Sequence, residues 1–314
     1  MVLTRRRVLQ TGGATALTAL AGCTAESLLG SNDDPPEYSL TVDSIDVSPV
    51  EHALYEPDDG PLFGAPARSV LDDILPDGRH TTYGFRPLPS DAYVEYEDSY
   101  YQTKHVVTGR TGKERQLVRA DPVPEEQVPE DAVLIDTLER PSARTLKILH
   151  SYTQTDGETS TAELLRGDAY VLRRPAELES RLATGNLDGR VVTMTESGTW
   201  AYRVRVNREQ IVETAYTALA IPVAGSRAQF RDVVFGSRID TEVTPAALPR
   251  DARDILDQAI EGETYTETVP ISEPFDTVLE ALGLGAVDTG VNGKLLWYDE
   301  EFYRYGLYVN PSAS

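Results

Sequence analysis

The sequence predicts an α+β fold of small antiparallel sheets, built from β-hairpins and each covered by one or two helices, with a weak threefold internal repeat. Three observations predict it. Short segments with apolar residues at helical spacing alternate with stretches rich in threonine and tyrosine, which favour strands. Acid-glycine pairs separate the two kinds of segment and supply turns. The set then recurs in the same order along the chain.

The first unit spans 38–130. Tyr38, Leu40 and Val42 alternate with polar residues, and Ile45 and Val47 continue with shifted phase, which predicts a strand with a bulge or bend. Ser48, Pro49 and Glu51 follow as N-cap, first-turn proline and capping-box acid of a short helix. A second helix starts at Ala67-Arg68 and runs through Leu71 and Ile74. The turn Asp77-Gly78 leads into a strand with Thr81 and Thr82, and a hairpin over 93–101 turns on Glu97-Asp98.

The second unit, 131–207, repeats this order. Its helix begins at Ala143-Arg144 with Leu146 and Leu149, its turn is Asp156-Gly157, and its threonines are Thr159 and Thr161. A further helix is expected over 175–183, and a hairpin over 191–206 around Glu196-Ser197-Gly198. The third unit, 208–314, opens with an additional stretch. Ile211, Val212, Ala215, Tyr216 and Leu219, then Phe230, Val233 and Val234, predict two extra helices broken by Pro222 and Gly225. The shared parts return as Ala252-Arg253 with Leu256 and Ile260, Glu261-Gly262 with Thr264 and Thr266, a helix over 272–282 and a hairpin over 295–309. From turn glycine to hairpin the separation is 37 residues in the second unit (Gly157 to Met194) and 36 in the third (Gly262 to Tyr298). In the first it is 18 (Gly78 to Tyr96), so that unit lacks one helix and its loops.

Ahead of these units lie two segments of different character. Residues 1–22 contain Arg5, Arg6 and Arg7, then a weakly apolar run, then Leu20, Ala21 and Gly22 before Cys23. This is the order of a charged region, a short apolar region and a small-residue cleavage site, and the apolar run falls well short of the ~20 residues that span a bilayer. Arg5 and Arg6 resemble the recognition pair of a twin-arginine signal, and Leu-Ala-Gly-Cys resembles a lipobox. The resemblance implies export of folded protein, lipid attachment at Cys23 and anchoring to a membrane, for which two acyl chains suffice. Cys23 is the only cysteine, so no internal disulfide can form. Residues 23–37 then read as a lipidated N-terminus and disordered linker, with Ser31, Asn32, Asp33, Asp34, Pro35 and Pro36 too poor in apolar groups to pack.

Charge narrows the setting. Residues 1–22 hold three arginines and no acid, so the chain from Cys23 onward carries 26 basic against 51 acidic residues, a formal charge of −25. Such an excess repels itself in dilute buffer, whereas at molar salt the Debye length falls to about 3 Å and the repulsion is screened. Only Lys104, Lys113, Lys147 and Lys294 are lysine; the other basic residues are arginine. Acid-rich, lysine-poor composition resembles that of haloarchaeal proteins. Together with residues 4–23 it places the chain beside haloarchaeal lipoproteins exported by the twin-arginine route, with Val8 standing where phenylalanine is common. That resemblance implies a location at the extracellular face of the membrane and no particular activity. The sign of the charge argues against nucleic-acid binding.

Motifs for chemistry are sparse. His52, His80, His105 and His150 are far apart, and no zinc-protease or paired-cysteine spacing occurs, so neither a metal nor another cofactor is expected. Gly283 and Gly285 follow a helix where a dinucleotide fingerprint follows a strand, which makes them a helix cap. Acidic pairs at Asp58-Asp59, Asp72-Asp73 and Glu300-Glu301 could serve a glycoside hydrolase or calcium, yet a composition this acidic supplies such pairs by itself. Aromatic rings concentrate in the hairpins. Adjacent residues face opposite sides of a strand, so Tyr100, Tyr101, Trp297, Tyr298 and Tyr303 are the candidates for a sugar- or protein-binding platform. Three readings stay open at this point: a non-catalytic binding or envelope-interaction lipoprotein with a protein or carbohydrate partner, an extracellular hydrolase using paired carboxylates, and the solute-binding component of a transporter.

Overall fold

The computed structural model describes residues 35–310 apart from 159, 160, 162, 163, 198, 263 and 286–289. Arg5, Arg6 and Cys23, with the signal and most of the linker, lie outside the described residues. The fold is α+β. Its first strand, β1 (Glu37–Ser44), is followed by α1 (Pro49–Ala53), where Ser48 and Glu51 close the expected capping box. Next come α2 (Gly64–Ile74), β2 (Arg79–Tyr83), β3 (Tyr93–Tyr96) and β4 (Ser99–Val123). The turn between β3 and β4 places Glu97 at φ 48° and Asp98 at φ 60°, and the later hairpin turn places Asp299 at φ 48° and Glu300 at φ 64°. Two successive left-handed residues are what a two-residue hairpin needs to match the twist of its strands, so the acidic pairs predicted as turns are turns.

The middle of the chain forms β5 (Val133–Leu134), α3 (Arg140–Gln154), β6 (Leu165–Arg166), β7 (Ala169–Val171), α4 (Pro175–Leu178), β8 (Val191–Thr193) and β9 (Ala201–Ala224). The C-terminal part forms α5 (Arg227–Ser237), β10 (Thr241–Val243), α6 (Arg250–Gly262), β11 (Thr264–Thr268), α7 (Glu273–Ala281), β12 (Val291–Tyr298) and β13 (Glu301–Asn310).

Two sheets result. A five-stranded sheet has the order β10-β12-β13-β1-β11 and is covered by α6 and α7, with Leu40, Leu256, Phe275, Val278, Leu296 and Leu307 in its core. The larger sheet is organised by β4 and β9, which pair antiparallel from Tyr100↔Ala224 to Val123↔Ala201. At about 3.3 Å per residue this ribbon is roughly 80 Å long. A two-stranded ribbon is marginal alone, and each end is thickened. At one end β3 joins β4 and β2 joins β9, with α2 on one face and α5 on the other. At the other end β7 joins β4 and β8 joins β9 under α3, around Val118, Leu146, Leu149, Tyr170, Leu172 and Val204.

Four expectations are corrected. The sheets are mixed, because β5 runs parallel to β8 and β10 parallel to β12. Residues 211–219 are strand and not helix: their apolar positions satisfy both periods, and pairing with β4 selects the strand, burying Ile211, Glu213, Ala215 and Thr217 on alternate positions. The expected boundary at 207/208 therefore falls inside β9. The helix expected over 175–183 is the single turn α4, after which the chain continues in turns. In addition β1, expected with the first unit, pairs with β13 and β11, because Leu40 and Val42 complete the core under α6 and α7.

Three sets of strands run in one order. Each begins with a short segment parallel to the first strand of a hairpin, continues through both hairpin strands to an antiparallel inner strand, and reaches a strand that follows a helix directly (β2, β11) or after β6 (β7). In the C-terminal sheet these are β10, β12, β13, β1 and β11; at one end of the ribbon β5, β8, β9, β4 and β7. At the other end they are Leu54, β3, β4, β9 and β2.

Candidate functional site: an arginine-lined cleft

The rings singled out in the sequence do not form a platform. Tyr100, Tyr101, Tyr298 and Tyr303 are buried, and Trp297 is half-buried with its ring edge-on to Phe235. The physical reason at Tyr100 and Tyr101 is that α2 and α5 cover opposite faces of this end of the ribbon, so neither face is free. Tyr100 stacks on Phe230 at 4.3 Å. Tyr298 donates to Asp257 and Tyr303 to Glu301, which settles their hydroxyls at the rim of the core. The acidic pairs lie on the surface. Asp59 pairs with Arg68 and Asp73 with His80, and among the described residues no three His, Cys, Asp or Glu side chains are grouped to hold a metal.

What the fold does assemble is a cleft of about 300 Å³ beside the middle of the ribbon, between the end of β2 and the segment from β7 to α4. Its walls include Phe85, Arg86, Arg173, Arg174 and Tyr216, with no carboxylate among the described lining residues. The wall from the first unit is set by Gly84. The chain leaves β2 there at φ +78°, and a Cβ would lie 2.0 Å from Glu213 Oε2, so only glycine lets the backbone pass over that carboxylate. Gly84 N–H donates to Thr214 O at 2.9 Å, and Phe85 and Arg86 are thereby held at the mouth.

The opposite wall is set by Glu177. Its carboxylate is 1 % exposed and accepts the backbone N–H of Arg173 at 2.8 Å and of Arg174 at 3.0 Å, the Tyr170 hydroxyl at 2.7 Å and Arg174 Nη1 at 3.3 Å. Pro175 and Glu177 are thus the first-turn proline and reaching-back acid of α4. Burial and the adjacent Glu177 push the Tyr170 hydroxyl up to about 12, so it remains a donor. Arg144 Nη1 donates to that hydroxyl at 2.9 Å and closes the back of the cluster.

Beneath Gly84, Glu213 is 4 % exposed and accepts Arg173 Nε at 3.0 Å and Arg115 Nε at 3.4 Å. The aromatic rings orient the remaining cations. Arg174 lies over Phe63 at 4.9 Å and near Phe85 at 5.5 Å, and Arg86 lies over Tyr216 at 4.9 Å. Four arginines thus meet two buried glutamates, and with Arg86 over Tyr216 beside them they leave a local positive excess in a chain of strong negative charge. Chemically, the arrangement can hold an anion; it presents guanidinium edges in a partly desolvated recess.

The motif Arg173-Arg174-Pro175-Ala176-Glu177 carried a readable signal, proline at the first helical position and glutamate two residues on. Nothing local marked Gly84, Arg115, Glu213 or Phe63, which are brought together by strand pairing.

Three histidines give the molecule a pH dependence. Burial pushes His52, His105 and His150 down from the ordinary histidine value, aided at His52 by Arg304 and at His105 by Arg86. Neither ring nitrogen of His105 has a hydrogen-bond partner among the described residues. Because the unfolded chain takes up protons first, the stability from keeping these rings neutral is complete above pH about 6.5 and declines as pH falls below it. Burial raises Glu139, but bonds from the Ser142 hydroxyl and the Arg181 amide outweigh it and hold the carboxyl low, so its contribution is lost only below the usual carboxylate range. Thermal melts at fixed salt are expected to show a lower midpoint at pH 5 than at pH 8, with a smaller drop in His105→Leu; an equal midpoint at both values contradicts this.

Compared with known proteins, the chain matches no family model, no curated protein and no solved structure. Fold and site together define an α+β protein with a basic cleft beside the long ribbon.

Proposed function

We propose that this protein is a halophile's lipoprotein, exported by the twin-arginine route, anchored at the extracellular face of the membrane through Cys23, and acting as a non-catalytic binding protein whose ligand occupies the arginine-lined cleft. The observation that carries the binding reading is the cleft itself, three arginines and no carboxylate among its described lining residues, in a chain whose net charge from Cys23 onward is −25. No carboxylate is among the described residues of this recess, and both nearby glutamates are turned inward, which supports a seat for an anionic ligand.

Anchoring is supported by the order of charged, apolar and small residues ahead of Cys23. Two acyl chains at about 0.8 kcal/mol per buried methylene hold a protein stably at a membrane. Cys23→Ala is expected to move the protein from the membrane fraction to the medium; a variant retained as fully as the wild type overturns the anchor. The shared strand order supports a further reading, descent of the three sets from one duplicated unit. On that reading β4 and β9 each serve two units, as hairpin strand in one and inner strand in the other, while β1 supplies the inner strand of the third.

A further inference from the structure

We propose that the cleft recognises a polyatomic oxyanion, a carboxylate, phosphate or sulfate group, gripped by the guanidinium edges of Arg86, Arg173 and Arg174 while the body of the ligand lies against Phe85 and Tyr216. The proposal rests on the binding reading above and narrows it to a ligand class.

Charge comes first. Glu213 is saturated from within by Arg115 and Arg173, and Glu177 by Tyr170, Arg174 and two backbone amides. Neither carboxylate lines the cleft: Arg173 and Arg174 are tied to Glu213 and Glu177 behind its wall by one guanidinium nitrogen each, which leaves their other donors and all of Arg86 to the cleft. Arg86 is exposed and makes no ion pair among the described residues. The excess positive charge is therefore directed outward.

Orientation comes second. Arg174 has Phe63 and Phe85 near its guanidinium, and Arg86 has Tyr216 beneath its own. Rings at the faces of a planar cation leave its edges for hydrogen bonding, and those edges donate in parallel pairs. Two oxygens on one carbon, phosphorus or sulfur atom fit such a fork, whereas a spherical chloride accepts without that directionality. This distinction matters in molar salt, where chloride is abundant and long-range attraction is screened. Size comes third. A recess of about 300 Å³ lies at the lower end of small-molecule pockets and takes a compact anion. Its aromatic walls can bury an apolar or sugar-like body once the charged group is seated.

The test is thermal stabilisation and calorimetric titration of the mature chain with phosphate, sulfate and benzoate, against added chloride, at one fixed molar ionic strength. At least one oxyanion is expected to raise the melting midpoint saturably and chloride is not. Tighter binding of benzoate assigns a carboxylate ligand; tighter binding of phosphate or sulfate assigns a phosphoryl or sulfuryl group. Arg86→Gln, a change at an exposed side chain, is expected to lower the ligand-free midpoint only slightly, through its contact with the Tyr216 ring, and to weaken binding about tenfold, the worth of one charge-assisted hydrogen bond. Arg250→Gln, on α6 with its side chain 89 % exposed, removes the same charge elsewhere and is expected to leave binding unchanged. Absence of a saturable response to all three oxyanions, or equal weakening by both substitutions, overturns the proposal. A chain that ignores all three yet binds a neutral sugar keeps the binding reading and loses this ligand class.

Discussion

Glu177→Ala is expected to destabilise the protein by about 3–5 kcal/mol, because it removes one partner from a buried charge cluster and leaves the others unpaired. The carboxylate is 1 % exposed, and Arg174 and Arg144 beside it are 14 % and 26 % exposed at the side chain. Alanine would leave Arg174 facing a desolvated hole and strip acceptors from the Tyr170 hydroxyl and from the amides of Arg173 and Arg174. The loss extends beyond stability, since those amides fix the backbone that presents two cleft arginines. Tyr170→Phe separates the contributions. It removes one hydroxyl, leaves the carboxylate on its remaining donors, and should cost about 1 kcal/mol. Denaturant midpoints at fixed molar salt measure both, and a Glu177→Ala cost no greater than that of Tyr170→Phe refutes the account.

Phe230→Ala is expected to cost a similar 3–5 kcal/mol for a different reason, the cavity left by a large core ring. Phe230 is fully buried on α5, stacked on Tyr100 at 4.3 Å and edge-on to Tyr93 at 5.3 Å. It is the main attachment of α5 to the ribbon, joined by Val234 and by Val50 of α1. α1 packs against α5 at the same cluster, so refilling the space requires moving these helices. Tyr308→Ala is the control, at an exposed ring that should change stability by less than about 0.5 kcal/mol. The same comparison at a hairpin ring, Tyr100→Ala against Tyr308→Ala, decides between the two roles of the hairpin aromatics. A binding platform would lose function and keep stability on losing a ring; a core loses stability.

How legible the fold was in the sequence depended on the range of the interaction. Ser48 with Glu51, Ser272 before α7 and the acidic hairpin turns were readable, because caps and turns are decided by neighbours within four residues. The helices starting near Ala67, Ala143 and Ala252 were readable for the same reason, each having an apolar stripe of helical period. Residues 211–219 were not, since Ile211, Ala215 and Leu219 fit a helical stripe while alternate positions fit a strand, and only β4 alongside breaks the tie. The aromatic residues failed as a predicted surface because exposure on a strand depends on what covers each face. Of the cleft, only the helix start at Pro175 was read from the sequence; Gly84 to Glu213 is a contact across well over one hundred residues.

By itself the sequence determined the acidic composition, the local turns and caps, the helical stripes, the α+β class and the order of residues around Cys23. These follow from residue chemistry and from short-range periodicity. Tertiary structure decided that 201–224 is one long strand, that β1 closes the C-terminal sheet, that most of the hairpin tyrosines are core, and that four arginines gather on two buried glutamates beside Arg86. Strand pairing selects among local conformations of nearly equal energy, and burial turns distant charges into neighbours; neither effect is contained in any short stretch of chain.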